Sequence, residues 1–101
     1  MYLIQILLPV QDNEGTAFGP ELYREVREEL SSRFGGLTAF TRAPAEGHWE
    51  EEGKTTRDDI VVFEVMADDL TTGWWQTYRH RLERMFRQDV IVIRAQAIQL
   101  L

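Results

Sequence analysis

The chain has 101 residues, of which 44% are hydrophobic and 28% charged, and a formal net charge of -6. This composition is typical of one soluble domain, residues 1–101, and excludes a disordered tail, a collagen-like repeat and a membrane channel. The absence of cysteine excludes disulfides, thiol nucleophiles and cysteine-ligated metals, and the acidic balance disfavours nucleic-acid binding.

The first part of the chain predicts a strand followed by a helix. Residues 2–8 form an apolar run that ends at Pro9, which cannot donate a hydrogen bond to a sheet. Pro20 suits the first turn of a helix, and apolar residues at helical spacing predict that this helix covers residues 20–34. The glycine pair that begins at Gly35 is expected to end it.

The middle of the chain is less regular. Residues 37–42 are a strand candidate, and the Ala-Pro-Ala-Glu-Gly segment at 43–47 is predicted to break it. Residues 48–52 are a candidate for a short separate strand, and residues 53–56 are predicted to form a turn. The β-branched and aromatic run at 60–66 predicts the clearest strand of the chain.

The last part predicts a helix over residues 73–87 and a strand over residues 90–98. Trp74 and Trp75 are adjacent, so only one can point straight into a core, and the sequence leaves open which one does. The resulting element order predicts an α+β, ferredoxin-like βαββαβ fold. We expect a four-stranded antiparallel sheet with two helices on one face and an elaborated hairpin between the second and third strands.

Alternation along the strands assigns the two faces of this sheet. The face away from the helices combines aliphatic side chains with a polar centre, and a monomer rarely exposes such a patch. We therefore expect a homodimer that packs sheet to sheet, in which Arg94 pairs with Glu64. The aliphatic residues of this face are Leu3, Leu7, Val62, Met66, Val92 and Ile98, and the polar ones are Gln5, Glu64 and Arg94.

The polar centre of this face is also the candidate catalytic or binding site. A carboxylate between apolar walls can serve as an acid or base, which makes Glu64 the candidate catalytic residue. Arg42 and Arg94 would bind a substrate anion. The alternative is an ion pair that only sets the register of a dimer. The ligand-binding candidates are Gln5, Phe40, Arg42, Trp49 and Arg94.

A histidine and two glutamates follow the predicted break at residues 43–47. In an extended segment His48, Glu50 and Glu52 project to one side, where they could hold a divalent metal. The alternative is a solvated strand, and no second histidine lies nearby in sequence. We therefore assign no metal and no cofactor.

The second helix offers two more candidates, each with a structural alternative. Its polar side carries His80 and four arginines, which could bind an anion or could pair with the acidic first helix. Its apolar side carries Trp74, Trp75 and Tyr78, which could form a ligand wall or pack in the core. The arginines are Arg79, Arg81, Arg84 and Arg87, and the facing acids are Glu21, Glu25, Glu28 and Glu29.

Three segments resemble a known class of proteins. The run Phe-Gly-Gly-Leu-Thr-Ala-Phe at 34–40, the Gly-His-Trp element at 47–49 and the run Asp-Asp-Ile-Val-Val-Phe-Glu-Val at 58–65 resemble small uncharacterised bacterial proteins of ferredoxin-like fold. This resemblance implies the fold and no established catalytic residues. More distantly, the layout of the whole chain resembles the dimeric α+β barrel superfamily, which includes cofactor-free monooxygenases.

Two functions of different classes follow. The first is a homodimeric interaction or small-ligand-binding module that uses the open sheet face. The second is a cofactor-independent, monooxygenase-like dimeric α+β barrel enzyme that acts on a small anionic or aromatic substrate. In both cases we expect a cytoplasmic bacterial protein, because residues 1–10 lack the features of a signal peptide. The acidic balance predicts no nucleic-acid partner, and the short apolar runs predict no membrane partner.

Overall fold

Six elements form one α+β unit with a single core. The computed structural model describes the backbone of residues 1–35, 38–51 and 54–101, and the side chains of residues 1–35 and 60–101. Hydrogen bonding orders the strands β2-β3-β1-β4, and all three pairings are antiparallel. The elements are β1 (Tyr2–Pro9), α1 (Pro20–Phe34), β2 (Thr38–Glu51), β3 (Lys54–Ala67), α2 (Thr72–Met85) and β4 (Val92–Ala97).

The first helix has the predicted bounds, whereas the second is shorter than predicted. Pro20 occupies the first turn of α1, and Gly35 ends the helix with a left-handed φ of 72° while its N–H donates to the Ser31 carbonyl. The last turn of α2 stops at Met85 because Arg87 has left the helical region, with a φ of 52°. Neither described helix has the length and apolar character needed to cross a membrane.

Both helices pack against the same face of the sheet, as the alternation predicts. Trp75 and Tyr78 are 6% and 5% exposed, so they belong to the core, whereas Trp74 is half-buried and stacks on Tyr78. The core interpretation of this aromatic group is therefore confirmed, and Trp75 is the tryptophan that points inward. The buried apolar residues are Ile4, Ile6, Leu8, Val26, Leu30, Phe63, Val65, Trp75, Tyr78, Leu82, Phe86 and Ile91.

The predicted break at 43–47 and the separate short strand at 48–52 are wrong. β2 runs without interruption from Thr38 to Glu51, because the pairing with β3 absorbs the irregular segment as a register shift. The six residues from Phe40 to Ala45 lie opposite only three residues of β3, those from Val62 to Ile60. A bulge on an edge strand tolerates a proline, since no neighbouring strand needs its N–H.

The predicted fold class, a four-stranded antiparallel sheet under two helices with an elaborated hairpin, is corrected. All four strands lie side by side at only three register positions, which run from Thr38 to Phe40 in β2. Beyond these positions the unit packed against the helices consists of the three antiparallel strands β1, β3 and β4. The early part of β3 pairs only with β2, past the end of β1 at Pro9. The broad α+β ferredoxin-like class is what remains.

Candidate functional site

The face of the sheet opposite the helices carries three rows of side chains that cross β3, β1 and β4. We call these nine residues the open face. Met66 and Val92 are 48% and 47% exposed, and the other aliphatic members are half-buried. A polar row therefore lies between two rows that are apolar except for Gln96, and these two are called the apolar rows. The rows are Met66-Leu3-Gln96, Glu64-Gln5-Arg94 and Val62-Leu7-Val92.

The polar row is a continuous chain of hydrogen bonds. Gln5 lies opposite Glu64 on one side and opposite Arg94 on the other. Its Nε2 donates to Glu64 Oε2 at 2.7 Å, and its Oε1 accepts from Arg94 Nε at 2.7 Å. The two neighbours thus fix the orientation of the Gln5 amide, because an amide nitrogen only donates and its oxygen only accepts.

The structure brings together three of the predicted site residues. Gln5, Glu64 and Arg94 converge on the open face as predicted. Within the chain, Gln5 lies between Arg94 and Glu64 and bridges the two charges. The result is a polarised row with a cation at the sheet edge and an anion toward its middle. The expected pairing of Arg94 with Glu64 in a homodimer stays a prediction.

The remaining predicted residues cannot be added to this row. The backbone register places Phe40 opposite Val62. The side chains of Phe40, Arg42 and Trp49 lie outside the described residues, as do those of the metal candidates His48, Glu50 and Glu52. Within residues 1–35 and 60–101, no group of three or more histidine and acidic side chains is placed to hold a metal ion.

The basic side of α2 is partly neutralised by the first helix, as one of the two interpretations predicts. Arg81 pairs with both Glu25, at 3.0 Å, and Glu29 of α1. Desolvation, together with the neighbouring Glu25 carboxylate, raises the pKa of Glu29 above its ordinary value even though the Arg81 guanidinium lowers it. Arg87 lies 3.4 Å from Asp12 in the loop before α1. These arginines therefore join α2 to the rest of the fold.

Glu83 links α2 to the segment that leads into β4. Its Oε2 accepts a hydrogen bond from the Ile91 N–H at 3.0 Å, and its Oε1 lies 3.2 Å from His80 Nδ1. The Ile91 hydrogen bond, aided by His80 and by Arg79 at 4.0 Å, outweighs desolvation and holds the pKa of Glu83 below its ordinary value.

Acid should weaken the fold through Glu83. Because its folded-state pKa lies below the ordinary 4.5, its contribution is complete above that pH and is lost as the pH falls through the folded-state value. In Glu83→Gln the free energy of unfolding should be lower at neutral pH and should fall less steeply in acid than in the wild type. Urea denaturation across this pH range measures both effects.

The matched control is Glu28→Gln, which removes one carboxylate from an exposed position of α1. It makes the same change in net charge without touching the Ile91 hydrogen bond. If both variants show the same acid dependence of the free energy of unfolding, net charge and not the Glu83 contact is responsible.

Sequence reasoning missed a cleft between α2 and β4. Thr72, Trp75 and Arg79 line it on the helix side and Arg94 on the strand side. The helical spacing of Thr72, Trp75 and Arg79 places them on one side of α2, which is a signal in the sequence. The position of β4 opposite these residues depends on tertiary packing, and no local sequence pattern indicates it.

Comparison with known proteins supports the fold. No family model matches the sequence, and no curated protein matches it. A phage SAM lyase in complex with S-methyl-5'-thioadenosine aligns with a TM-score of 0.60 and 14% identity, over 94% of this chain and 79% of that one. The divalent cation tolerance protein CutA1 from Thermus thermophilus aligns with a TM-score of 0.59 and 16% identity, over 97% and 84%. At these identities the likeness shows the broad ferredoxin-like fold alone.

Proposed function

We propose that the chain is a self-associating interaction module whose open face is covered by a second copy of itself. The observation that carries this proposal is the pattern of the open face, two apolar rows on either side of an ordered polar row. A small ligand bound at the centre of the same interface is part of the proposed function. The similarity to known structures is consistent with such a module and specifies nothing further.

The apolar rows supply the driving force for association. Met66 and Val92 expose about half of their surface, and they border the half-buried Leu3 and Leu7. Burial of apolar surface contributes about 25 cal/mol per Å², so covering contiguous aliphatic rows favours association. A second sheet packs at about 10 Å, close enough for the two sets of side chains to interdigitate.

The polar row favours a second copy over an unrelated partner because it is complementary to itself. Neighbouring strands are about 4.8 Å apart, so Arg94 and Glu64 lie at nearly equal distances on either side of Gln5. A two-fold axis parallel to the strands and passing between two facing Gln5 residues sets Arg94 of each copy over Glu64 of the other. Both charges then gain an opposite partner in the buried interface.

A groove on the same face supports the small-ligand part of the proposal. It has a volume of about 300 Å³ and is lined by Leu3, Gln5, Arg94, Ala95 and Gln96. The Arg94 guanidinium would attract an anionic group in it. Glu64 does not line this groove. The groove therefore supports ligand binding, and not acid–base chemistry, as the function of the open face.

Sedimentation velocity over a range of concentrations tests the proposal. At micromolar concentration the wild-type chain should sediment with twice the 11.8 kDa mass of one chain. Raising the salt concentration should have a small effect, since the apolar rows and buried charges are shielded from ions. A species of single-chain mass throughout this range would overturn the proposal.

A further inference from the structure

A second concavity lies between the N-terminal half of α2 and the edge strand β4. Its volume is about 190 Å³. Apolar side chains from three elements and the loop before α2 form its floor: Ile4, Leu70, Trp75 and Ile93. A cavity of about 150 Å³ accommodates benzene, so this cleft has room for one small ring with a polar substituent.

The charged groups that line the cleft are both cations. Arg79 lines the cleft from α2 and Arg94 from β4, where the Arg94 Nε donates to Gln5 on the open face. Thr72 and Gln76 are the uncharged polar residues of the lining. Glu83 lies near Arg79, with its Oε2 4.0 Å from Arg79 Nε, beyond hydrogen-bond distance. That same oxygen already accepts the Ile91 N–H. The cleft therefore favours an anionic group.

Two buried donors at the cleft have no acceptor. Trp75 is 6% exposed, and its Nε1 is buried without a hydrogen-bond partner. Arg79 Nε is likewise buried without a partner. An indole N–H can only donate, and an unpaired buried donor costs about 1–3 kcal/mol. An oxygen acceptor between these groups would satisfy them.

The start of α2 adds a third positive feature. Thr71 makes no side-chain hydrogen bond that caps the helix, and the first turn contains no acidic residue. The N–H groups of this turn carry the positive end of the helix dipole. Thr72, at the first position of the helix, borders the cleft.

We propose that this cleft binds a small apolar molecule that carries a carboxylate, with the ring or alkyl part on the apolar floor and the carboxylate at the Arg79 guanidinium. The Trp75 indole N–H donates to the same carboxylate or to a substituent beside it. Arg94 borders the cleft, but its guanidinium belongs to the open face. The proposal therefore rests on Arg79 and Trp75, which lie on the helix side of the sheet, and is independent of self-association.

Titration of the isotope-labelled chain with benzoate tests this site by nuclear magnetic resonance. The indole N–H resonance of Trp75, assigned with the variants Trp49→Phe and Trp74→Phe, should shift in proportion to bound benzoate. Benzyl alcohol has the same ring and no charge. Its affinity should be lower than that of benzoate by a factor of about ten or more, because it lacks the charge-assisted contacts. A Trp75 resonance that stays fixed at millimolar benzoate would overturn the proposal.

Two substitutions in α2 distinguish benzoate binding in the cleft from a general attraction to positive charge. Arg79→Met should weaken benzoate binding about tenfold or more, since it removes one charged donor. Arg84→Met, at an exposed position of α2 outside the cleft, should leave the affinity unchanged. Thr72→Val provides a second test if Arg79→Met fails to fold, as judged by circular dichroism, and should also weaken binding. Equal affinities in the cleft variants and Arg84→Met would contradict the assignment.

Discussion

Replacing Phe63 by alanine is expected to lower the free energy of unfolding by about 3–5 kcal/mol. The side chain is fully buried between β3 and the helices, and the Arg27 guanidinium lies 5.9 Å from its ring centroid. Alanine leaves a cavity that the packed neighbours fill only in part. A domain of this size is stable by about 5–15 kcal/mol, so the variant should lose a large fraction of its stability. Urea denaturation gives the value from the shift in midpoint.

Val90→Ala is the matched control for this loss. Val90 is 70% exposed in the segment before β4, so truncating it should change the free energy of unfolding by no more than about 0.5 kcal/mol. A similar cost for the two substitutions would mean that Phe63 does not face the core, and the assignment of both sheet faces would fail with it.

Reversing one charge of the polar row is expected to dissociate the proposed dimer. Arg94→Glu would set a carboxylate over Glu64 of the other copy at two symmetric places. Disrupting a buried interfacial charge pair costs about 2–5 kcal/mol, so association should weaken about a hundredfold or more. Glu64→Arg should have the same effect, because it sets two guanidinium groups together. Sedimentation of both variants measures the change in dissociation constant.

The double variant Arg94→Glu with Glu64→Arg decides whether the two positions meet across the interface. It restores opposite charges at both places and should recover wild-type association to within about tenfold. Arg24→Glu, an equal charge reversal at an exposed position of α1, should leave association unchanged. A double variant as weak as the single ones would show that the copies do not pack about the proposed axis.

The sequence was sufficient for the parts of the fold that depend on periodicity. The α1 bounds follow from Pro20, the apolar stripe and the left-handed Gly35, all of which are local signals. The meeting of Gln5 with Glu64 and Arg94 follows from strand alternation, although 59 and 89 residues separate them along the chain. A slip of one residue in either pairing would have sent one partner to the helix side.

The parts that failed depend on which element lies beside which. Pro44 indicated a break because a proline disrupts a central strand, but β2 is an edge strand and accommodates it at a register shift. The contact of Arg81 with Glu29 and the cleft beside Arg79 arise from the packing of α2 against α1 and β4. Helical spacing places these two arginines on different sides of α2, but it does not show which element packs against each side.

The strand order also determines when this sheet can form during synthesis. β1 is made before the other strands, yet it lies between β3 and β4, whose residues are added only after α1 and β2. At about 5–20 residues per second, a ribosome needs several seconds to supply the first of these partners. The N–H and C=O groups along both edges of β1 have no strand partner for that time. An exposed strand edge pairs readily with another chain, so β1 is a site of aggregation until β3 is made.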